Sequence, residues 1–115
     1  FGWYLKKFIQ DVREKGATPI LVSLTPRNEW PGGKIERRND TYGKWYREVV
    51  AETGVEFVDV HNISADYLDR KGQKKAKAYY NHDHTHTSFK GAQLNAKSVA
   101  KGLKDIHSSL AEYLK

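Results

Sequence analysis

Residues 19–24, Pro-Ile-Leu-Val-Ser-Leu, form a short and almost wholly apolar run that stops two residues before Pro26. A run that is apolar at successive positions is typical of a strand buried on both faces of a parallel sheet. A second strand, Val-Glu-Phe-Val-Asp-Val, is predicted over residues 55–60. The two segments together indicate an α/β fold with a parallel sheet at its centre.

A first helix is predicted ahead of residues 19–24, because its apolar residues recur at intervals of three and four positions. These residues are Leu5, Phe8, Ile9 and Val12. Gly16 follows them and is expected to end the helix. Three aromatic residues on the helices are expected to lie in the core: Trp3, Trp45 and Tyr46.

Three further helices are predicted along the chain. One begins at a cap formed by Asn39 and ends at Gly54. Another spans residues 62–70 and is closed by Gly72, and the last runs from Ser88 to the end of the chain. Helices that alternate with apolar strands predict a parallel sheet sandwiched by helices. Two strands are too few for that sheet, so either the domain pairs with another chain or its first strands are missing.

Charge and composition exclude several classes of protein. The 115 residues carry a net charge of +6 and contain no cysteine, which excludes a disulfide scaffold and a thiolate metal site. No apolar run approaches the roughly 20 residues of a membrane-spanning helix. The densest basic cluster, in residues 70–77, has no interleaved stacking aromatic and is interpreted as a solvated surface. We therefore expect neither a nucleic acid nor a membrane as partner.

Residues 81–88, Asn-His-Asp-His-Thr-His-Thr-Ser, contain the candidate catalytic residues of the chain. Asp83 and His86 form an Asp-x-x-His pair, and one tight loop can bring that carboxylate to the imidazole. The contact would fix the imidazole tautomer and stabilise the imidazolium, as in the base half of a Ser-His-Asp triad. A capping role at the surface is an alternative. Another is a metal site, since His82, His84 and His86 would line one face of an extended segment.

The stretch from Asp83 to Lys104, DHTHTSFKGAQLNAKSVAKGLK, resembles the last conserved block of the SGNH/GDSL hydrolases, and most closely the rhamnogalacturonan acetylesterase branch. Residues 4–27 and 54–60 resemble segments that precede that block. The resemblance implies an SGNH-type carbohydrate esterase in which His86 is general base and Asp83 orients it. It also implies an acetylated polysaccharide or oligosaccharide substrate, an extracellular or periplasmic location, and no metal or organic cofactor.

The family's nucleophile and oxyanion blocks have no counterpart in the sequence. None of the six serines follows Gly-Asp or occupies a Gly-x-Ser-x-Gly elbow. Asn39-Asp40 is expected to cap a helix, and Ser88 is expected to cap the last one. The resemblance therefore implies that residues 1–115 are the C-terminal portion of a single SGNH hydrolase domain, which is a flavodoxin-like three-layer α/β/α sandwich. The isolated chain is expected to have no esterase turnover. The alternative is a non-catalytic fragment that binds carbohydrate or associates with itself through an exposed sheet edge.

Two loop residues are candidates for substrate contact. Arg27 follows the first strand, at the end of the sheet where open α/β folds bind ligands. Trp30 could stack on a sugar ring. A surface salt bridge for Arg27 and packing of Trp30 on its own loop are the alternatives. His84 is expected to turn outward, away from the Asp83–His86 pair.

Overall fold

The computed structural model describes residues 1–114, which form two compact units. One unit comprises Phe1–Ser23 and Arg38–Val58, and the other comprises Leu24–Arg37 and the residues from Asp59 onward. Each unit has a hydrophobic core of its own. A parallel sheet lies in the first unit, and the second unit is helical.

The first unit alternates helices and strands. Its elements are α1 (Gly2–Glu14), β1 (Ile20–Val22), α2 (Tyr42–Thr53) and β2 (Glu56–Val58). The two strands pair in parallel with Leu21 opposite Phe57, which confirms the predicted α/β arrangement. Each strand has three residues and is shorter than the apolar run that predicted it.

Only one face of β1 is buried. Leu21 lies in a core with residues from both helices and with the residue just before β2, namely Ile9, Tyr46, Val49 and Val55. Val22 is 43% exposed, because successive side chains of a strand point to opposite faces and its own face is not covered. The expectation of a strand buried on both faces is therefore wrong for the described residues.

Of the three helix aromatics expected in the core, only Tyr46 is buried. Trp45 is 38% exposed, because neighbouring residues of a helix point about 100° apart and the buried face is the one that carries Tyr46. Its ring lies against Phe1 instead, with centroids 5.5 Å apart. Trp3 is 64% exposed and packs edge-on against Tyr4.

The second unit consists of helices and short turns. Its helices are α3 (Val60–Lys71), α4 (Gln73–Ala76) and α5 (Phe89–Asp105), and 3₁₀ turns span Pro31–Gly33, Lys77–Tyr79 and Ser109–Tyr113. The core between α3 and α5 contains Ile35, Ala65, Leu68, Ala76, Tyr79, Tyr80 and Leu94. Tyr80 belongs to this core, and the histidine-rich loop follows directly after it.

Most of the predicted helix ends are confirmed. Gly54 ends α2 in the left-handed conformation, at φ 66°, which a glycine adopts without strain. Gly72 follows the last residue of α3. Ser88 caps α5, and its hydroxyl oxygen accepts a hydrogen bond from the Gly91 N–H.

Three predicted boundaries are wrong. The pair Asn39-Asp40 does not cap α2, which begins after Thr41, because these residues form a turn ahead of the helix. α3 begins earlier than predicted, since the Asp59 carboxylate caps it. α5 ends at Asp105, two residues before a non-glycine residue with positive φ, and does not reach the end of the chain.

Tyr80 is a buried phenol whose ionisation is coupled to folding. The side chain is 6% exposed, and its hydroxyl donates a hydrogen bond to the Pro26 carbonyl oxygen at 2.6 Å. Burial raises the pKa of Tyr80 to about 12, from the ordinary value of 10.0. Because the folded chain retains the proton longer, this stabilisation is complete below the ordinary pKa and is lost as the pH rises through the folded pKa.

We expect Tyr80→Phe to lower the free energy of unfolding at neutral pH by about 1–2 kcal/mol, since it leaves the Pro26 carbonyl without its donor. The variant should lose less stability than the original chain between about pH 10 and about pH 12. Urea unfolding at several pH values measures both effects. The matched control is Tyr113→Phe, which removes a 79% exposed phenol. An equal alkaline loss in Tyr80→Phe and the original chain would contradict the assignment.

Candidate active site

The histidine-rich loop is closed at both ends by backbone hydrogen bonds. Tyr80 and Thr87 form an isolated antiparallel bridge. The Asn81 N–H donates to the His86 carbonyl oxygen at 2.9 Å, and the Asn81 side-chain amide donates to the Thr87 carbonyl oxygen at 3.0 Å. The residues enclosed by these bonds form a tight turn, which we call the catalytic turn (residues 81–87).

The Asp83 carboxylate lies inside the catalytic turn and accepts three hydrogen bonds. Its Oδ1 accepts from the backbone N–H of His86 at 2.6 Å and of Thr85 at 2.8 Å. Its Oδ2 lies 2.6 Å from His86 Nδ1. The backbone N–H and the imidazole of His86, followed by the Thr85 N–H, hold the pKa of Asp83 well below its usual range. Asp83 is therefore an ionised acceptor at neutral pH.

The contact with Asp83 orients the His86 ring. With Nδ1–H donating to the carboxylate, Nε2 is the nitrogen that carries the lone pair and can accept a proton. The His86 side chain is 77% exposed, so a reacting group can approach it. The structure thus brings together the two residues of the Asp-x-x-His pair in the geometry of a base and its orienting carboxylate.

The alternate histidines do not form a metal site. Residues 1–114 contain no grouping of three or more histidine, aspartate or glutamate side chains arranged to hold a metal ion. The reason is that the segment curls around Asp83, whereas His82, His84 and His86 would share a face only in an extended strand. His84 is exposed, as expected, and its carbonyl oxygen accepts a hydrogen bond from the Asn28 N–H at 2.8 Å.

The loop that follows β1 supports the catalytic turn. The Asn28 N–H donates a hydrogen bond to the His84 carbonyl oxygen, and the Tyr80 hydroxyl donates one to the Pro26 carbonyl oxygen. These two contacts bracket Arg27, whose side chain is exposed. The structure therefore brings the backbone of Arg27 beside the catalytic turn, and its role as a substrate contact stays a prediction.

Trp30 is anchored in its own loop. Its indole N–H donates to Asn28 Oδ1 at 2.7 Å, and its half-buried ring packs against the core that includes Ile35. The observed contacts match packing on the loop, which was one of the two predicted roles. Stacking of Trp30 on a sugar stays a prediction.

Sequence reasoning missed an ion-pair cluster that fastens this loop to α3. The Arg37 guanidinium lies 2.7 Å from both Asp66 and Asp69, and it donates to Asn62 Oδ1 at 3.1 Å. Asp69 also accepts the Ile35 N–H at 2.8 Å. The partners are 25 to 34 positions apart, so no local pattern signals them.

Gly91 is a second residue that sequence reasoning missed as a structural requirement. A Cβ at this position would collide with the Tyr79 carbonyl oxygen and with Thr87 Cβ. The first turn of α5 therefore lies directly against the backbone of Tyr79, just before the catalytic turn, and against the side chain of Thr87, at its end. The Ser88 hydroxyl joins the same contact, accepting from Gly91 N–H and donating to the Ala78 carbonyl oxygen at 2.7 Å.

Curated relatives of the chain share one name. The chain is 33% identical over 114 residues to the probable rhamnogalacturonan acetylesterase YesY of Bacillus subtilis, covering 95% of this chain and 52% of the relative. It is 28% identical to the rhamnogalacturonan acetylesterase of Emericella nidulans, and the match covers 78% of this chain and 37% of that relative. The rhamnogalacturonan acetylesterase RhgT of Bacillus subtilis is 27% identical, and the match covers 99% of this chain and 56% of RhgT. The chain spans about half the length of the curated relatives it matches.

A solved structure shares the fold. Protein YxiM of Bacillus subtilis superposes with a TM-score of 0.86 at 22% identity, covering 94% of this chain and 31% of that one. At this level of identity the likeness is one of fold alone, and the fold is that of an SGNH hydrolase. This agrees with the α/β class that the sequence predicts.

One comparison disagrees with the others. A protein-family model described as Type I 3-dehydroquinase matches residues 3–105 and, taken alone, assigns the chain to that family. The three curated relatives, all named as rhamnogalacturonan acetylesterases, disagree with that assignment. The chain is similar in sequence to the rhamnogalacturonan acetylesterases over nearly its whole length, as its sequence predicts.

Gly91→Ala is expected to lower the free energy of unfolding by about 1–3 kcal/mol, as overpacking of a close contact does. The loss would come despite the higher helix propensity of alanine. Urea unfolding measures it. Gly2→Ala is the matched control, since Gly2 is also helical and its added Cβ would meet Val49 Cγ2 at an ordinary 3.7 Å. Equal stability of the two variants would refute the close contact.

Proposed function

We propose that this chain supplies the histidine and the carboxylate of a serine esterase that removes acetyl groups from carbohydrate. The observation that carries the proposal is the 2.6 Å contact between His86 Nδ1 and Asp83 Oδ2. Two backbone N–H groups hold the other Asp83 oxygen, so the carboxylate is positioned before any substrate binds. The names of the relatives make acetyl esters of rhamnogalacturonan, or of a related pectic polysaccharide, the proposed substrate.

In the proposed cycle His86 acts as base and then as acid. Its Nε2 takes the proton of a serine hydroxyl, outside this chain, as that oxygen attacks the acetyl carbonyl carbon. His86 then returns the proton to the sugar oxygen as the ester C–O bond breaks, which leaves an acetyl-serine. Water attacks next, gives its proton to Nε2, and acetate leaves as serine recovers the proton. Asp83 stays ionised throughout and stabilises the imidazolium.

The contacts of the serines support a nucleophile outside this chain. Ser64 and Ser98 are buried and hydrogen-bond to each other at 2.8 Å. Ser88 caps α5, and Ser108 accepts the Leu110 N–H at the start of the last 3₁₀ turn. Each of these hydroxyl groups has a structural role in the second unit. None of the six serines, Ser23 and Ser109 included, follows Gly-Asp as the family's nucleophile does. A serine from elsewhere in the protein is therefore the proposed nucleophile, and the 115 residues alone are proposed to be inactive.

We also infer that the chain is the C-terminal portion of a single domain. Among the described residues β1 pairs with β2 alone, which leaves the other edge of β1 open. Val22 on the same strand is 43% exposed, although valine is a typical core residue. A further strand beside β1 would pair with its open edge, and a further helix packed on the sheet would cover the face that exposes Val22. Self-association through the open edge is the alternative that these observations also support.

We propose an extracellular or periplasmic location, because a cell meets a polysaccharide substrate outside its cytoplasmic membrane. Within residues 1–114 no helix combines the length and the apolar character that crossing a bilayer requires. Assay of acetylesterase activity in the medium, the periplasmic extract and the cytosol of the source cells tests the location. Activity confined to the cytosol would contradict it.

In the whole protein, His86→Ala should lower kcat for acetate release from an acetylated pectic polysaccharide by about 10³- to 10⁶-fold, since triad members act as a unit. Asp83→Asn should lower it less, because the base remains while its tautomer is no longer fixed. His84→Ala is the matched control, an exposed histidine two positions away, and should change kcat by less than about tenfold. Equal losses in His84→Ala and His86→Ala, or turnover by the 115 residues alone that Ser88→Ala abolishes, would refute the proposal.

The 115-residue chain is expected to form dimers or larger assemblies at micromolar concentration, because an unpaired strand edge recruits a partner. Light scattering measures the mass. Val22→Lys places a charge on the exposed face of β1 and should shift the population toward monomer. Phe89→Lys changes a more exposed apolar residue of α5, which belongs to the other unit, and should not. A folded monomer across the whole concentration range would contradict the open-edge interpretation.

A further inference from the structure

A groove of about 510 Å³ lies between α3 and α5, in the second unit. The α5 wall carries a row of lysines, Lys90, Lys97 and Lys101, and the α3 wall carries Tyr67 and Arg70. The lysine row spans about 16 Å along the helix, at a rise of about 1.5 Å per residue. The groove is therefore long enough for more than one sugar ring.

The charge in the groove is predominantly positive. The two acidic residues that line it already form ion pairs, Asp66 with Arg37 and Asp105 with Lys101, each at 2.7 Å. The remaining basic residues of the two walls lie around the same space. A ligand that bears carboxylates would be complementary to this arrangement.

An aromatic pair lies at one end of the groove. The hydroxyl groups of Tyr67 and Tyr79 are 3.1 Å apart, and Arg70 and Lys71 lie over the Tyr67 ring at 5.9 and 5.5 Å from its centroid. Lys90 lies 4.9 Å from the Tyr79 ring centroid. The hydrogen bond to Tyr79 and the charges of Lys71 and Lys90 lower the pKa of Tyr67. A half-buried ring flanked by cations suits the apolar face of a sugar that bears a carboxylate.

We propose that this groove is an accessory binding site for an acidic oligosaccharide, with carboxylates paired to Arg70 and Lys97 and one sugar ring against Tyr67. The side-chain amide of Gln93, which also lines the groove, supplies hydrogen bonds to sugar hydroxyls. The choice of a carbohydrate rests on the proposed function. Single-stranded nucleic acid is less suited, because it requires a series of open stacking faces and the buried Tyr79 does not provide one.

The residues that line the groove start close in sequence to the catalytic turn. Lys90 follows His86 by four positions and lies in the first turn of α5. A polymer held in the groove would therefore be kept near the proposed reaction site without touching His86. Such a site would favour polymeric over small acetyl esters.

The test uses an oligomer of galacturonic acid as probe, with the fully methyl-esterified oligomer of equal length as the uncharged comparison. Calorimetry on the protein measures Kd. We expect the double variant Arg70→Gln, Lys97→Gln to weaken binding of the acid oligomer by about fivefold or more, as the loss of two exposed ion pairs should. The matched control, Lys74→Gln with Lys75→Gln, removes the same charge from exposed positions in α4 and should change Kd by less than about twofold.

Binding of the acid oligomer but not of its methyl ester, weakened in the groove variant alone, supports the proposal. Equal weakening in both double variants, or no binding at all, overturns it. Tighter binding of a single-stranded RNA of similar length, lost in the same groove variant, would also overturn it in favour of a nucleic-acid site. His86→Ala should leave Kd unchanged while it abolishes turnover, so that failure of the esterase proposal and failure of the groove proposal give different results.

Discussion

The conformation of the candidate site depends on one carboxylate, that of Asp83, which accepts two backbone N–H groups and the imidazole of His86 within a few residues. Three donors on one ionised group hold a short loop in a single geometry, because each hydrogen bond to a charged acceptor is stronger than one between neutral groups. The hydrogen bonds of Asn81 close the loop behind it. The rest of the second unit keeps the ends of this loop in place.

Two parts of the chain that are remote in sequence support that loop. Asn28 contacts the carbonyl of His84, and Arg37 fastens the loop that contains Asn28 to α3 through Asp69. On the other side, Gly91 allows α5 to lie against the backbone that precedes the turn. His86 is therefore oriented by its sequence neighbour Asp83, while residues remote in sequence support the turn. Asn28 and His84, for example, are 56 positions apart.

Local features of the site and fold could be predicted from the sequence, and remote ones could not. The Asp83–His86 contact joins residues three positions apart, so the spacing alone indicates it. Gly54 ends a helix for a reason that lies in its own backbone. The contact of Asn28 with His84 uses backbone groups that every residue has, and no residue type marks it. The burial of Trp3 was mispredicted, because helical spacing places an aromatic on a face without telling which face another element covers.

The exposure of the His86 ring has a consequence for the strength of its bond to Asp83. Coulomb attraction scales inversely with the effective dielectric constant, which is about 80 in water and about 20 near a protein surface that excludes part of the solvent. Because 77% of the His86 side chain is exposed to water, the dielectric constant around the pair is near the higher of these values and the attraction is weak. Covering the turn with the remainder of the proposed domain would strengthen the same contact about fourfold without moving an atom of it. Domain completion would then act on the candidate site by changing the medium around a hydrogen-bonded pair whose geometry is already in place.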